Sequence, residues 1–180
     1  MPRFLLLLLA VLFCLPLLNS AQACCAPEAS YSAIAPLSTD DTARTIFPGP
    51  TLAACQLVAG KSYRVTAWGT VAAGDVSDVT FDVALGSTIM AEVMMVSKGT
   101  YQSPWHLTGT FTIQSEGPVA GMAMSYLSAV IDSTPSTDVG SPPLVDTTVD
   151  SILSLNVAMS DSVWVNIRGW TVEPIASTTH

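Results

Sequence analysis

Charged side chains are scarce in this 180-residue chain, and positive ones are the scarcest. Charged residues make up 11% of the sequence, with 6 Lys and Arg against 14 Asp and Glu, and the formal net charge is −8. A typical soluble domain has about a quarter of its residues charged. A surface this acidic repels phosphate backbones, so nucleic acid is not expected as a partner. Serine and threonine must cover much of the surface instead, which suits an extracellular protein whose surfaces contact other proteins.

The residue patterns of common catalytic sites are also missing. The sequence has no GxSxG, HExxH, P-loop or GxGxxG motif, and its only histidines are His106 and His180. Its aspartates lack the dense spacing of a calcium loop; the five considered are Asp132, Asp138, Asp146, Asp150 and Asp161. We therefore predict a protein that is not an enzyme and needs no metal or other cofactor. The alternative is a hydrolase with a site built around His106.

The longest apolar run lies at the N-terminus and has the parts of a secretory signal. Arg3 supplies the positive end, Phe4 to Leu18 form the apolar run, and Ala21-Gln22-Ala23 fits the cleavage rule. The run is shorter than the roughly 20 residues that span a bilayer. Residues 1–23 are thus predicted to be a cleaved signal peptide, and the mature chain is predicted to be exported, either secreted or on an outer surface.

The cysteines allow two arrangements. Cys14 lies in the predicted signal peptide, which leaves Cys24, Cys25 and Cys55, an odd number for an oxidising compartment. In one arrangement Cys24 is lipidated, which would bring the protein to a membrane, and Cys25 forms a disulfide with Cys55. In the other, Cys55 pairs with either neighbour and the remaining thiol is free or intermolecular. Ala21 weighs against lipidation, because a bacterial lipobox normally has leucine there.

Most of the remaining chain alternates apolar and polar residues with the period of two that is typical of half-buried strands. In one clear case Val79, Phe81 and Val83 lie on one side of the strand, whereas Thr80 and Asp82 lie on the other. About eight such segments are separated by turns rich in Gly, Pro and Ser, without a convincing amphipathic helix. This pattern predicts an all-β fold, a single antiparallel β-sandwich of the jelly-roll type.

The same pattern predicts the domain limits. Residues 24–50 are rich in Pro, Ser and Thr and lack periodicity, so they are interpreted as a lead-in or tether. Ile46 and Phe47, near its end, are candidates to dock on the domain. Residues 51–175 are predicted to form the β-sandwich and residues 176–180 a flexible tail.

The segment PWHLTGTFTI contains the one histidine that is not at the chain terminus. The apolar side of this strand carries Trp105, Leu107, Phe111 and Ile113. Because side chains alternate across a strand, His106 is placed on the opposite side, among Thr108, Thr110 and Thr112. We interpret it as an exposed strand histidine on a polar face.

Two segments are apolar on both sides, which a two-layer sandwich does not require. Residues 88–96 carry Met and Val on both sides, and the last strand has two opposed apolar sets: Val163, Val165 and Ile167 against Trp164, Trp170 and Val172. Burying a large apolar side chain is worth about 1.5–3 kcal/mol, so a second copy of the chain is expected to cover the outer faces. We predict a homo-oligomer, with a trimer favoured. The alternative cover is residues 132–144 of the same chain.

Three tryptophans are candidates for a contact surface. Aromatic rings stack on sugars and anchor protein interfaces. We therefore predict that Trp68, Trp164 and Trp170 belong to an oligomer interface or a ligand-binding surface.

The order of these segments resembles a recurring module of tailed-phage virion proteins. AGKSYRVTAWGTV is followed by VTFDVALGST, by WHLTGTFTIQSEG and by VDTTVDSILSLNVAMSDSVWVNIRGWTVEP, and the match covers about residues 51–174. The resemblance implies a jelly roll similar to that of TNF and C1q, which usually trimerises. It also implies a role as a head-decoration, spike or fibre-tip component that contacts other virion proteins or a receptor or glycan on the host surface. It brings no catalytic residues.

Virion proteins of this kind normally assemble in the cytoplasm, whereas this chain has an export signal. The leading hypothesis is a structural or adhesive jelly-roll protein on a virion surface, acting as a homo-oligomer. The alternative is a secreted or lipid-anchored binding protein of the cell surface with the same fold.

Overall fold

The computed structural model describes residues 31–33, 37–39, 43–73, 76–98, 102–119, 121–132, 134–139, 143–160 and 163–175. The predicted signal peptide, Cys24, Cys25, Asp161 and the tail with His180 lie outside the described residues. Within the part that is described, no helix is both long and apolar enough to cross a membrane.

The described chain consists of strands that form two antiparallel sheets, which confirms the predicted all-β sandwich. The strands are β1 (Tyr31–Ala33), β2 (Leu37–Thr39), β3 (Thr45–Leu52), β4 (Ser62–Ala73), β5 (Val76–Leu85), β6 (Thr88–Lys98), β7 (Ser103–Ser115), β8 (Gly121–Ile131), β9 (Thr134–Val139), β10 (Leu144–Val145), β11 (Ser151–Met159) and β12 (Val163–Ile175). The larger sheet has the order β1-β12-β4-β7-β8-β10, with β2 also beside β12 and β9 beside β8. The smaller sheet has the order β3-β11-β5-β6.

The connectivity is that of a jelly roll. The last two strands are inserted between strands from the first half of the chain: β12 lies between β1 and β4, and β11 lies between β3 and β5. The places of β12 and β11 within their sheets therefore depend on pairing between segments that are far apart in sequence.

Inward-facing side chains of the two sheets form one apolar core. Tyr63 and Phe111 stack with ring centroids 5.1 Å apart, and Phe81 of the smaller sheet meets Trp105 of the larger one at 4.6 Å. The Tyr63 hydroxyl donates to the Gln56 carbonyl at 2.9 Å, so the polar end of this buried ring is satisfied.

The folded part starts before the predicted limit at residue 51, since β1, β2 and most of β3 lie within the predicted lead-in of residues 24–50. Strand β3 begins at Thr45 and pairs with β11, and Phe47 is buried whereas Ile46 is 62% exposed. Pro48 and Pro50 obscured this strand in the sequence. Proline is tolerated here because β3 is an edge strand, where one side needs no ladder hydrogen bonds.

A β-bulge in β12 corrects the prediction that the last strand is apolar on both sides. Ile167 lies opposite Gly69 and Gly169 lies opposite Trp68, so Arg168 is an extra residue. An extra residue reverses the side to which all following side chains point. Trp170 therefore faces the core and is fully buried, and its assignment to an interface or ligand surface is wrong.

A second bulge explains part of the pattern in β6. Val83 lies opposite Ala91 and Ala84 opposite Ile89, so Met90 is the extra residue, and it is buried. The outward side chains stay exposed, namely Ile89 (40%), Met94 (58%) and Val96 (46%). Residues 134–139 form β9 beside β8 and leave these outward side chains exposed.

Candidate functional site

The outward side of the larger sheet forms a broad surface, which we call the open face. Its members come from β4, β7, β8 and β12 and are mainly hydroxyl-bearing, aromatic and neutral polar residues. They are Arg64, Thr66, Trp68, Thr70, His106, Thr108, Thr110, Tyr126, Ser128, Val130, Trp164, Asn166 and Thr171.

The side chain of Trp68 lies in a fixed position on this face. It lies opposite His106 of β7 and Gly169 of β12, and its side chain is held across Gly169, where a Cβ atom would come within 2.5 Å of the indole Cζ2. Gly169 directly follows the bulge residue Arg168. The absence of a side chain at this position therefore lets the indole lie down on the sheet, with 36% of Trp68 still exposed.

Replacing Gly169 with alanine is expected to lift the Trp68 indole off the sheet, because the new methyl group would overlap the ring. Tryptophan fluorescence should then shift to longer wavelength as the indole enters water. The same substitution in a Trp68→Phe background is the control and should leave the remaining emission unchanged. An equal shift in both backgrounds would show that Gly169 does not support this ring.

Trp164 is the second exposed tryptophan of the open face. It precedes the bulge, lies opposite Ala72 of β4 and is 48% exposed. Ala72 is four residues from Trp68 on the same strand, which corresponds to roughly 13 Å. Of the three predicted tryptophans, Trp68 and Trp164 thus share one surface, and Trp170 does not.

His106 lies on the polar side of β7 and is exposed, as predicted. It borders a shallow notch of about 250 Å³ together with Pro104, Trp105, Val130 and Asp132. Asp132 occupies the β8–β9 turn with a φ of 46°, and its N–H donates to the Pro104 carbonyl at 3.2 Å. His106 and Asp132 therefore line the same notch at the end of the open face.

Three of the five aspartates considered for a calcium loop accept hydrogen bonds from backbone N–H groups in the structure. The Asp150 carboxylate accepts from the Ala54 N–H at 2.8 Å, and that of Asp138 accepts from the Glu92 N–H at 3.4 Å. Asp146 accepts from the hydroxyl and the N–H of Thr148, which lower its pKa below the ordinary value. Among the described residues, no three acidic, His or Cys side chains cluster in a way that could hold a metal ion.

The outer side of the smaller sheet contains a polar cluster that the sequence did not reveal. Asp82 is only 1% exposed and forms an ion pair with Arg44. The Asn156 side-chain amide donates to the same carboxylate at 2.6 Å. The sequence alternation placed Asp82 on a solvent-exposed face. No local pattern indicates that Asn156 of β11 and Arg44, just before β3, enclose it.

A groove of about 530 Å³ adjoins this cluster. Ile46 and Pro48 form one wall, Ile89 stands on the other, and Asn156 contributes to its surface. The groove shows that the smaller sheet also has an indented outer surface, with mainly apolar walls.

Cys55 is disulfide-bonded. Its partner lies outside the described residues, so the predicted pair with Cys25 and the lipidation of Cys24 stay predictions.

No model of a known protein family matches this chain, and no curated protein matches its sequence. The resemblance to tailed-phage virion modules stays a prediction from the order of strand and turn segments. The fold defines the chain as a β-sandwich of jelly-roll type, and any function has to be argued from its surfaces.

Proposed function

We propose that the protein is a non-enzymatic structural or adhesive module that binds a macromolecular partner through the open face. The observation that supports this most is the presentation of Trp68, whose indole lies over Gly169 and is partly open to solvent. An aromatic ring that is already fixed loses little conformational entropy on binding, so more of its contact energy is kept. Large aromatic anchors of this kind carry most of the binding energy in many interfaces.

The proposed setting is an outer surface, either of a virion or of a cell. The segment order supports a virion component, whereas the signal peptide predicted for residues 1–23 supports an exported cell-surface protein. Proteomics of purified particles from the source organism distinguishes the two. Co-purification of the chain with virions supports the first setting, and recovery from particle-free envelopes or medium supports the second.

Replacing Trp68 with alanine is expected to release the protein from the surface that it binds. Removal of a hot-spot aromatic typically costs about 2 kcal/mol or more, which lowers affinity by a factor of about 30. The measurement is the fraction of chain that sediments with particles or envelopes. Ile46→Ala is the matched control, since Ile46 is also exposed but lies on the smaller sheet. Equal retention of Trp68→Ala and the control would contradict the proposal.

We further propose that copies of the chain associate through the outer side of β5 and β6, with a trimer as the favoured state. The exposed apolar side chains Val76 (67%), Met94 (58%) and Val96 (46%) form a mixed patch on these two neighbouring strands, in which Met94 lies opposite Thr80 and Val96 opposite Asp78. The bulge in β12 leaves this patch as the main support for self-association, because Trp170 and Val172 of the last strand are buried.

The double variant Met94→Lys, Val96→Lys is expected to be a monomer, because two ammonium groups per copy would have to be desolvated at the contact. Sedimentation velocity at micromolar concentration measures the change. Ser128→Lys, on the larger sheet, serves as control and should leave the sedimentation coefficient unchanged. A wild-type protein that sediments as a monomer would overturn this proposal.

A further inference from the structure

One line of residues on the outward side of the larger sheet crosses six strands in cross-strand register and consists only of serine and threonine. Its four central members belong to the open face, and its two end members lie on the flanking strands β1 and β9. Each member lies directly opposite the next across adjacent strands. In the order β1, β12, β4, β7, β8, β9 they are Ser32, Thr171, Thr66, Thr108, Ser128 and Thr137. We call this line the hydroxyl row.

The hydroxyl row is accessible along its whole length. Its two end members, Ser32 and Thr137, are exposed, and the four between them are half-buried on the outward side of the sheet. Directly opposed residues point to the same side of a sheet. The row therefore presents one hydroxyl per strand at intervals of about 4.8 Å and is roughly 24 Å long.

The cross-strand rows that flank the hydroxyl row on either side contain aromatic side chains. On one side Trp68, His106 and Val130 are aligned across β4, β7 and β8, and on the other Thr110 lies opposite Tyr126. Each hydroxyl can both donate and accept a hydrogen bond. A ligand that fits this surface offers hydrogen-bond donors and acceptors at a regular interval, as hydroxyl groups do, together with apolar patches for the rings.

We infer that the open face binds a neutral, unbranched polysaccharide that runs along the hydroxyl row, across the strands. This inference rests on the proposed function and names the chemistry of its partner. One sugar residue of an extended chain is about as long as one strand spacing, so about five sugars would lie along the row. Sugar hydroxyls match the serine and threonine hydroxyls, and the apolar face of a pyranose ring matches Trp68.

Charge and twist restrict the polymer further. The formal net charge of −8 disfavours sulfated or uronic-acid chains, and no member of the row carries a charge that would offset it. Adjacent strands rotate by roughly 20–25° relative to each other, so the row is a twisted ribbon. A single flexible polysaccharide chain can follow such a twisted row, whereas the flat surface of a crystalline polysaccharide would contact only part of it.

The test is isothermal titration of the full protein with cellohexaose, chitohexaose, maltohexaose and laminarihexaose, and with a hyaluronan hexasaccharide as the acidic probe. The test variant is Thr66→Val, Thr108→Val, which removes two hydroxyls but keeps side-chain shape and strand propensity. Thr51→Val is the control, because Thr51 lies on the outward side of β3 in the smaller sheet, outside the contact proposed for β5 and β6. We expect binding of at least one neutral hexasaccharide, at least tenfold weaker for the double variant and unchanged for the control.

The inference is overturned if no neutral hexasaccharide binds, if the acidic probe binds more tightly, or if the double variant binds as well as the control. It also fails if Thr66→Val, Thr108→Val changes the sedimentation coefficient, because the open face would then be a contact between copies. If Trp68→Ala is released from the native surface but the wild-type protein binds no hexasaccharide, the polysaccharide ligand is rejected and the proposed function still stands. If Trp68→Ala stays bound to the native surface as well as the control does, the proposed function itself is rejected.

Discussion

Replacing Trp170 with alanine is expected to destabilise the protein by about 3–5 kcal/mol, the usual cost of truncating a large buried aromatic side chain. Trp170 is fully buried, and its ring packs so closely on Gly49 of β3 that a Cβ there would come within 2.1 Å of Cη2. The substitution would therefore open a cavity beneath edge strand β3. Urea-induced unfolding, followed by far-ultraviolet circular dichroism, gives the free energy of unfolding.

Trp164→Ala is the matched control for this prediction. Both tryptophans belong to β12 and have the same parity in the sequence, but they lie on opposite sides of the bulge at Arg168. Trp164 is 48% exposed, so its truncation is expected to change stability by about 0.5 kcal/mol or less. Similar costs for the two substitutions would mean that the bulge is absent and that both side chains lie on one face.

Replacing Arg44 with methionine is expected to cost about 3 kcal/mol. The variant keeps most of the side-chain volume but leaves the buried Asp82 carboxylate without its cationic partner, and breaking a buried ion pair typically costs about 3–5 kcal/mol. The lower end applies because the Arg44 side chain is 39% exposed, so water can partly replace its guanidinium group. Chemical denaturation measures the loss.

A second substitution isolates the ion pair. Asp82→Asn in the Arg44→Met background removes the unpaired charge while keeping an oxygen that can accept from the Asn156 amide. We expect the double variant to recover more than half of the lost stability. If Arg44→Met alone costs less than about 1 kcal/mol, the pair behaves as a surface salt bridge and the enclosure of Asp82 is wrong.

Strand periodicity was enough to predict the fold class and the exposed position of His106. The alternation is unbroken along β4 and along β7 up to Ile113, and there the inward side follows directly from parity. In β12 and β6 the same rule failed after Arg168 and Met90, because a single inserted residue reverses every later side chain. Nothing in the local sequence distinguishes a bulge from continued alternation. Trp170 was therefore assigned to the surface.

The start of the domain and the Arg44–Asp82–Asn156 cluster were missed for other reasons. Strand β3 contains two prolines, so it lacks the sequence signal of a strand, and it is held in place by pairing with β11 about 100 residues away. The cluster joins β5, β11 and the residue just before β3 in the same way. Contacts between distant segments depend on the topology, which local patterns do not encode. The hydroxyl row is a further case, since each member follows ordinary alternation and only the register aligns them.

We propose that the protein works through the open face of its larger sheet. Hydroxyl-radical footprinting tests it most directly, by comparing side-chain oxidation in the free protein with oxidation in the protein held on its native surface. We expect Trp68 and Tyr126 to be oxidised when the protein is free and protected when it is bound, while Trp170 is unreactive in both states. Equal oxidation of Trp68 and Tyr126 in both states would contradict it.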